Sequence, residues 1–257
     1  MSQLDFKSTF ITPNWPAPAN VLAVQTTRIG GASLAPYHSL NLGAHLNDNA
    51  IAVAHNRQLL SPYLPSEPVW INQVHGIKAI DAAMAGCAIE ADAAYTIKAN
   101  TVCVTMTADC LPVLLCDQAG TVVAALHAGW KGLLDGVIES TVQSMLLAMP
   151  NLISQHLMAW LGPAIGPQAF EVGSEVREAF IRVDANAALA FLSASNSEIN
   201  PDKWLCNIYQ LARQRLNTMG VSQIYGGDLC TYTDKERFFS YRRDNVTGRM
   251  ATMIWLT

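Results

Sequence analysis

Three side chains able to ligate a metal or activate a nucleophile stand at the ends of apolar runs: His75 in QVHG, Cys110 in ADC and His127 in HAGWKG. Two imidazoles and a thiolate form a Zn²⁺ donor set, and three protein ligands leave the fourth tetrahedral position for water or substrate. A metal there would hold Cys110 as thiolate, which a free cysteine with a pKa of about 8.5 is not at neutral pH. Cys110 beside the His127 imidazole is alternatively an activated nucleophile. It cannot be both a firm ligand and a free nucleophile, and the ligand role is adopted. The intervals between the three match no short metal motif, so spacing alone leaves separate core or capping roles open. Asp109, next to Cys110, offers a proton carrier, a turn residue or a partner that fixes one histidine tautomer.

Local Arg clusters could bind a small anion. Arg28 ends NVLAVQTTR, and Arg242 and Arg243 lie in FFSYRRD. Their guanidinium forks suit phosphate oxygens, with surface salt bridges as the plainer role. Backbone N–H groups at a helix start after Trp130-Lys131-Gly132 offer a second anion site. Asn41 in SLNLG could close an Asx turn. His38 and His45 flank that block as pocket-lining or surface loop residues. Trp130 and Tyr241 could stack a base or simply pack.

The elements that must position these groups read as follows. Residues 101–107, LPVLLC and TVVAALHAGW are short apolar runs between turn signals, the mark of buried strands. Beyond them Leu134, Val137, Ile138, Val142, Met145, Leu146 and Met149 share one helical face, opposite Asp135, Glu139, Ser140, Gln143 and Ser144. Residues 20–28 and 68–76 are further strand candidates, separated by a Gly/Ser/Asn-rich surface loop and a helix capped by Asp48 that runs to about Pro62. HLMAWLGPAIGP reads as a strand, and Ser174 caps a helix carrying Val176, Ala179, Phe180 and Val183 inward. Asn200-Pro201 opens a helix ending at Gly220 with Leu205, Ile208, Leu211, Ala212, Leu216 and Met219 inward. QIYGGDLCTYT and RMATMIWLT close the chain as strands. Strands and helices alternate irregularly, so mixed sheets in an α+β domain fit better than βαβ repetition.

No linker, charge run or repeat divides the 257 residues, so residues 1–257 are read as a single domain. Charged residues make up 14%, against about 25% in typical soluble domains, so the chain can bury a large core. A net charge of −4 gives no reason to expect nucleic acid or an anionic membrane as partner. A signal peptide and a transmembrane run are both missing from the pattern, and the six cysteines lack disulfide spacing, which together predict reduced thiols in the cytoplasm.

Seven blocks in order, TTRIGG (26–31), SLNLG (39–43), QVHG (73–76), TADC (107–110), HAGWKG (127–132), GPAIG (162–166) and FFSYRRD (238–244), resemble the YfiH family, also called the multicopper polyphenol oxidase or laccase-domain family. The resemblance implies an α/β/β/α layered sandwich with one zinc held by His75, Cys110 and His127, and copper as a possible substitute. It implies purine nucleoside phosphorylase activity on adenosine, guanosine, inosine and methylthioadenosine, with adenosine deamination in the same site. It also favours phosphate roles for Arg28 and for Arg242 or Arg243, and implies a ribose contact for Asn41. Bacterial members are linked to peptidoglycan editing, so a Cys110–His127 amide hydrolase acting on peptidoglycan precursors is an alternative, as is a copper-dependent polyphenol oxidase. The oxidase needs more imidazole than six histidines with no His-x-His pair supply.

Overall fold

Residues 111–117, LPVLLCD, are buried at every position, because the sheet they belong to is covered on both faces. Alternate side chains go opposite ways. Leu111, Val113 and Leu115 enter a core shared with helices, while Leu114 and Cys116 enter one shared with a second sheet. A strand so placed reads as an unbroken apolar run instead of an alternating one. The structure, a computed structural model, describes residues 4–86, 89–194 and 202–257.

The larger sheet runs β12 (Gln223–Gly226), β8 (Leu157–Leu161), β6 (Leu111–Asp117), β7 (Val123–Ala128), β4 (Ala93–Thr96), β3 (Ala79–Asp81). It is mixed: the β12–β8 and β3–β4 pairs are parallel and the rest antiparallel. An antiparallel sheet of β1 (Phe10–Ile11), β2 (Val21–Thr26), β13 (Met250–Leu256) and β5 (Cys103–Thr107) packs on its inner face. Val21, Ala23, Cys103, Ile254 and Leu256 meet Ala94, Leu114, Val123, Ala125 and Trp160 there. Three short strands, β10 (Phe191–Ser193), β11 (Lys203–Cys206) and β9 (Glu171–Gly173), form a third sheet.

Helices α3 (Trp130–Asp135), α4 (Val137–Ala148), α5 (Ser174–Val183) and α6 (Ile208–Thr218) cover the outer face of the mixed sheet. The other outer face is covered by the chain around α2 (Ala50–Gln58), through Leu40, Leu42 and Leu60. The short helices α1 (Phe6–Thr9) and α7 (Tyr241–Asp244) complete the set. The result is the expected α+β arrangement, α/β/β/α in layers. None of the described helices is long and apolar enough to cross a membrane.

Several expectations need correction. The Gly/Ser/Asn-rich stretch before α2 is a surface loop only in part: Leu34 is exposed, but Leu40, Asn41 and Leu42 are fully buried. Asn56 replaces the missing sheet partners, donating to Ser33 Oγ and to the Ser39 and Asn41 carbonyls while accepting from Ala32 N–H. Asn49, not Asp48, caps α2. Residues 68–76 make only isolated bridges, Val69 to Cys103 and Asn72 to Glu90. Gln73 then clips the segment to β5 by accepting from Met106 N–H and donating to its carbonyl. The helical face over 134–149 is interrupted at Gly136, whose φ of 104° ends α3 and opens α4. Val183 is exposed. The expected start at Asn200-Pro201 lies outside the described residues, and residues 203–206 are strand. The helix begins instead at Ile208, where Asn207 accepts from Gln210 N–H.

Candidate metal centre

Register explains why Cys110 and His127 meet. In the β6–β7 hairpin Pro112 pairs with His127 and Leu111 with Ala128, so Cys110 and His127 emerge at the same end of the sheet. Asp117 fixes that register at the far end by accepting from the N–H groups of Thr121 and Val122. His75 arrives from the irregular segment across the sheet end. Its left-handed φ of 59° is held by a carboxylate that the sequence reading did not single out, Asp92.

Asp92 is fully buried and accepts four hydrogen bonds. One oxygen takes His75 N–H at 3.0 Å and His127 Nδ1–H at 2.8 Å; the other takes Val74 N–H at 3.2 Å and Gly76 N–H at 2.7 Å. It therefore orients one imidazole directly and positions the other through its backbone. With Nδ1 of His127 donating to Asp92, Nε2 is the nitrogen left to face a metal. Burial alone would raise the Asp92 pKa, but the hydrogen bond from His127 and those from the backbone lower it.

The ligand atoms of His75, Cys110 and His127 all lie within 4.8 Å of one another, with Cys110 Sγ 3.8 Å from His75 Nε2. Tetrahedral zinc, with bonds of about 2.3 Å to sulfur and about 2.0 Å to nitrogen, needs a sulfur–nitrogen separation of about 3.6 Å. The donor set fits a small N/S-liganded ion. Among the described residues it is the one group of three or more such side chains with metal-binding spacing. Close approach is allowed by two glycines of HAGWKG. A Cβ on Gly129 would lie 2.9 Å from His75 Cδ2, and one on Gly132 would lie 2.9 Å from the Gly76 carbonyl.

The metal-free site polarises itself. Burial opposes a thiolate at Cys110, yet the charge of His127 and hydrogen bonds from both histidines outweigh it and lower the thiol to about 6. Burial likewise opposes an imidazolium at His127, and the Cys110 thiolate and Asp92 overcome it, raising His127 to about 9.

The triad faces a cavity of about 410 Å³ that His45, Gln73, Met106, Tyr241 and Arg249 also line. Burial lowers the His45 pKa, and the charges of Arg249 and Arg57 add to the effect. Arg249, another residue the sequence reading missed, has no carboxylate partner among the described residues. Its Nη1 donates to the Thr247 and Gly248 carbonyls, and its Nε and Nη2 make no bond to the described residues. Burial lowers the Arg249 pKa, while the nearby charges of Cys110 and Asp109 oppose that shift, and its free donors are of the kind that bind oxyanions.

The other sequence candidates have different surroundings. Asp109 is buried at φ 90°, and its carboxylate accepts from Thr231 Oγ1, Ser240 Oγ and Arg242 N–H. It ties the turn of α7 to the start of β6. Asn41 donates to Asp48 and accepts from the N–H groups of Gly43 and Arg249, so it positions backbone. Arg28 and Arg243 line a different cavity, of about 570 Å³, together with His38. Arg28 donates to the His38 and Lys235 carbonyls and lies over the Phe239 ring. Arg243 donates to the Thr231, Tyr232 and Phe238 carbonyls and pairs with Asp244. Arg242 alone of the three lies beside Cys110. The helix after Trp130 has only six residues.

A family model described as multi-copper polyphenol oxidoreductase laccase matches residues 22–257. Purine nucleoside phosphorylase YfiH of Escherichia coli (strain K12) is 56% identical over 252 residues, covering 97% of this chain and 99% of that protein. A purine nucleoside phosphorylase of Haemophilus influenzae is 53% identical over 247 residues, covering 95% and 98%. The crystal structure of a Neisseria meningitidis protein is similar with a TM-score of 0.88 at 46% identity, covering 96% of this chain and 99% of that one. With a family model spanning nearly its whole length and relatives identical at more than half their positions, the chain belongs to the YfiH, or laccase-domain, family.

Proposed function

We propose that this chain is a zinc-dependent purine nucleoside phosphorylase. The observation that carries the reading is the convergence of His75, Cys110 and His127 on a cavity that also holds the unpaired guanidinium of Arg249. Phosphorolysis needs a phosphate pocket and a means of stabilising the leaving purine or the developing sugar cation. The naming of close relatives supports the same activity.

A zinc ion held by His75, Cys110 and His127 would supply a Lewis acid. The chain's own groups do the remainder. Asp92 holds Nδ1–H of His127, so that its Nε2 stays available. Arg249 binds phosphate with the donors its own loop leaves free, and Asn41 fixes Arg249 through its backbone N–H. The phosphate role expected of Arg28 and Arg243 thus passes to Arg249, since both are committed to loop carbonyls in another cavity. Adenosine deamination at the same centre calls for a group that moves a proton. His45, neutral and facing the cavity, suits this better than Asp109, whose carboxylate is occupied.

The thiolate–imidazolium pair of Cys110 and His127 also suits a cysteine amide hydrolase. That reading leaves His75, 3.8 Å from the sulfur, without a task. A multicopper oxidase would require further clustered ligands, and the described residues offer one cluster. Copper can still substitute in the His₂Cys set, and an intense sulfur-to-copper absorption band would reveal it.

The test is metal analysis followed by release of adenine or hypoxanthine from nucleoside with and without phosphate. About one zinc per chain, phosphate-dependent release, and loss of both in His75→Ala and Cys110→Ser are expected. Full activity in either variant, or release that ignores phosphate, overturns the proposal.

A further inference from the structure

Next to the triad cavity lies a larger one of about 620 Å³, lined among others by Arg57, Glu67, Trp70 and Ile71. The two share His45 and Met106, so these side chains form the boundary between them. Arg57 stands close to that boundary, with its Nη2 4.0 Å from Met106 Sδ. Each space therefore holds one guanidinium, Arg249 in the inner and Arg57 in the outer.

The peptide Leu42-Gly43 of SLNLG holds both. The Leu42 carbonyl accepts from Arg57 Nε at 3.0 Å and from its Nη2 at 2.8 Å, while Leu42 N–H donates to the Arg249 carbonyl. Gly43 lies against the Arg249 side chain: a Cβ there would sit 3.0 Å from Arg249 Cγ. Two residues on, His45 enters the boundary. Burial and the charges of both arginines lower its pKa, so it stays neutral between them. Arg57 is fixed on two sides and open on a third. Leu42 takes its Nε and Nη2, its guanidinium carbon lies 3.9 Å from the centre of the Trp70 ring, and its Nη1 makes no bond to the described residues. Neither arginine forms an ion pair among the described residues. Oriented guanidiniums with free donors bind phosphoryl oxygens. Two of them flanking one peptide favour a ligand with negative charge at both ends.

We propose that Arg249 and Arg57 form a tandem site for a linear oligophosphate, with one phosphoryl group in each cavity and the chain passing His45. The inner half rests on the phosphorylase reading, which gives Arg249 to phosphate; the outer half is a site of its own. No bond is made or broken. The chain takes the place of inorganic phosphate at Arg249 and competes with it. A free chain and one carried by a nucleotide present the same oxygens to the two arginines.

The test is calorimetric titration with inorganic phosphate, tripolyphosphate and adenosine 5′-triphosphate. It is run on zinc-loaded protein and again on metal-free protein, where there is no zinc for a phosphate chain to chelate. Arg57→Gln should weaken tripolyphosphate binding roughly tenfold, the loss of one charge-assisted contact, and leave inorganic phosphate within about twofold of wild type. Glu67→Gln keeps an acceptor for Trp70 Nε1–H and removes the one carboxylate lining the outer cavity among the described residues. It should tighten tripolyphosphate binding about twofold, a response that a merely structural role of Arg57 at Leu42 would not give. Should Arg57→Gln fail to fold, Glu67→Gln decides alone. Tripolyphosphate affinity unchanged in either folded variant overturns the tandem site. The same Arg57 dependence for adenosine 5′-triphosphate supports a chain carried by a nucleotide; dependence for tripolyphosphate alone supports a free chain. If the chain binds through Arg57 but wild type catalyses no phosphorolysis, the phosphorylase reading falls and the tandem site stands. If wild type phosphorolyses nucleosides and the chain binds without regard to Arg57, the tandem site falls and the reading stands.

Discussion

Replacing Asp92 by Asn tests whether one buried carboxylate organises the centre. The side chain keeps its size, but one of two accepting oxygens becomes an NH₂ group. In either amide orientation two N–H donors lose their acceptor: His75 N–H and His127 Nδ1–H, or Val74 N–H and Gly76 N–H. A buried donor left unsatisfied costs about 1–3 kcal/mol, so two predict a loss of roughly 2–5 kcal/mol after local relaxation. The histidine effect is separate. Without a carboxylate on Nδ1, His127 is no longer held with Nε2 toward the site, and removing such outer partners lowers metal affinity about 10–100-fold. Urea denaturation of metal-free protein reads the first quantity; zinc competition against a chromophoric chelator, at urea-free concentrations where the variant is folded, reads the second. Zinc affinity within twofold of wild type, with stability changed by less than about 0.5 kcal/mol, would refute the role assigned to Asp92.

In metal-free protein Cys110 should alkylate with a midpoint near pH 6, because the thiolate is the reactive form and its pKa is depressed to about 6. The rate should fall as pH drops through that value and stay flat above it; a rate still climbing past pH 8 contradicts the thiolate–imidazolium pair, and zinc should protect. Gly129→Ala places a methyl group 2.9 Å from His75 Cδ2 and 3.1 Å from Cys110 Sγ, so chelator competition should show zinc affinity reduced at least about tenfold. Asn56→Ala removes the partners of Ala32 N–H and the Ser39 and Asn41 carbonyls and should cost roughly 2–4 kcal/mol in denaturant unfolding. Arg243→Met should cost about 1–3 kcal/mol by the same measurement while phosphate affinity stays unchanged, since its donors serve loop carbonyls.

How far the site could be read from residues alone follows from what each residue contacts. His75, Cys110 and His127 were legible because each ends an apolar run, and β6 and β7 are neighbours in both sequence and sheet, so the hairpin register brings two of the three together. Asp92 was not, because its partners lie 16–35 residues away and no local pattern marks it. Arg249 was hidden in the same way: an arginine opening a terminal strand looks like any edge cation until the loop that buries it is in place. Arg28 and Arg243 show the converse competition. A guanidinium at a strand end or in an Arg pair looks available for phosphate, but loop carbonyls that end outside any sheet need donors too, and in this chain they take them first. The stretch around Leu40 and Leu42 misled for a related reason. Its composition is that of a solvated loop, yet a single buried amide at Asn56 supplies the hydrogen bonds a sheet would have given, which lets irregular backbone enter the core. Periodicity and turn residues report what the chain does with its neighbours in sequence. The choice among equivalent cations and amides is made by backbone groups left unpaired far along the chain, so it can be read only once the sheets that leave them unpaired are known.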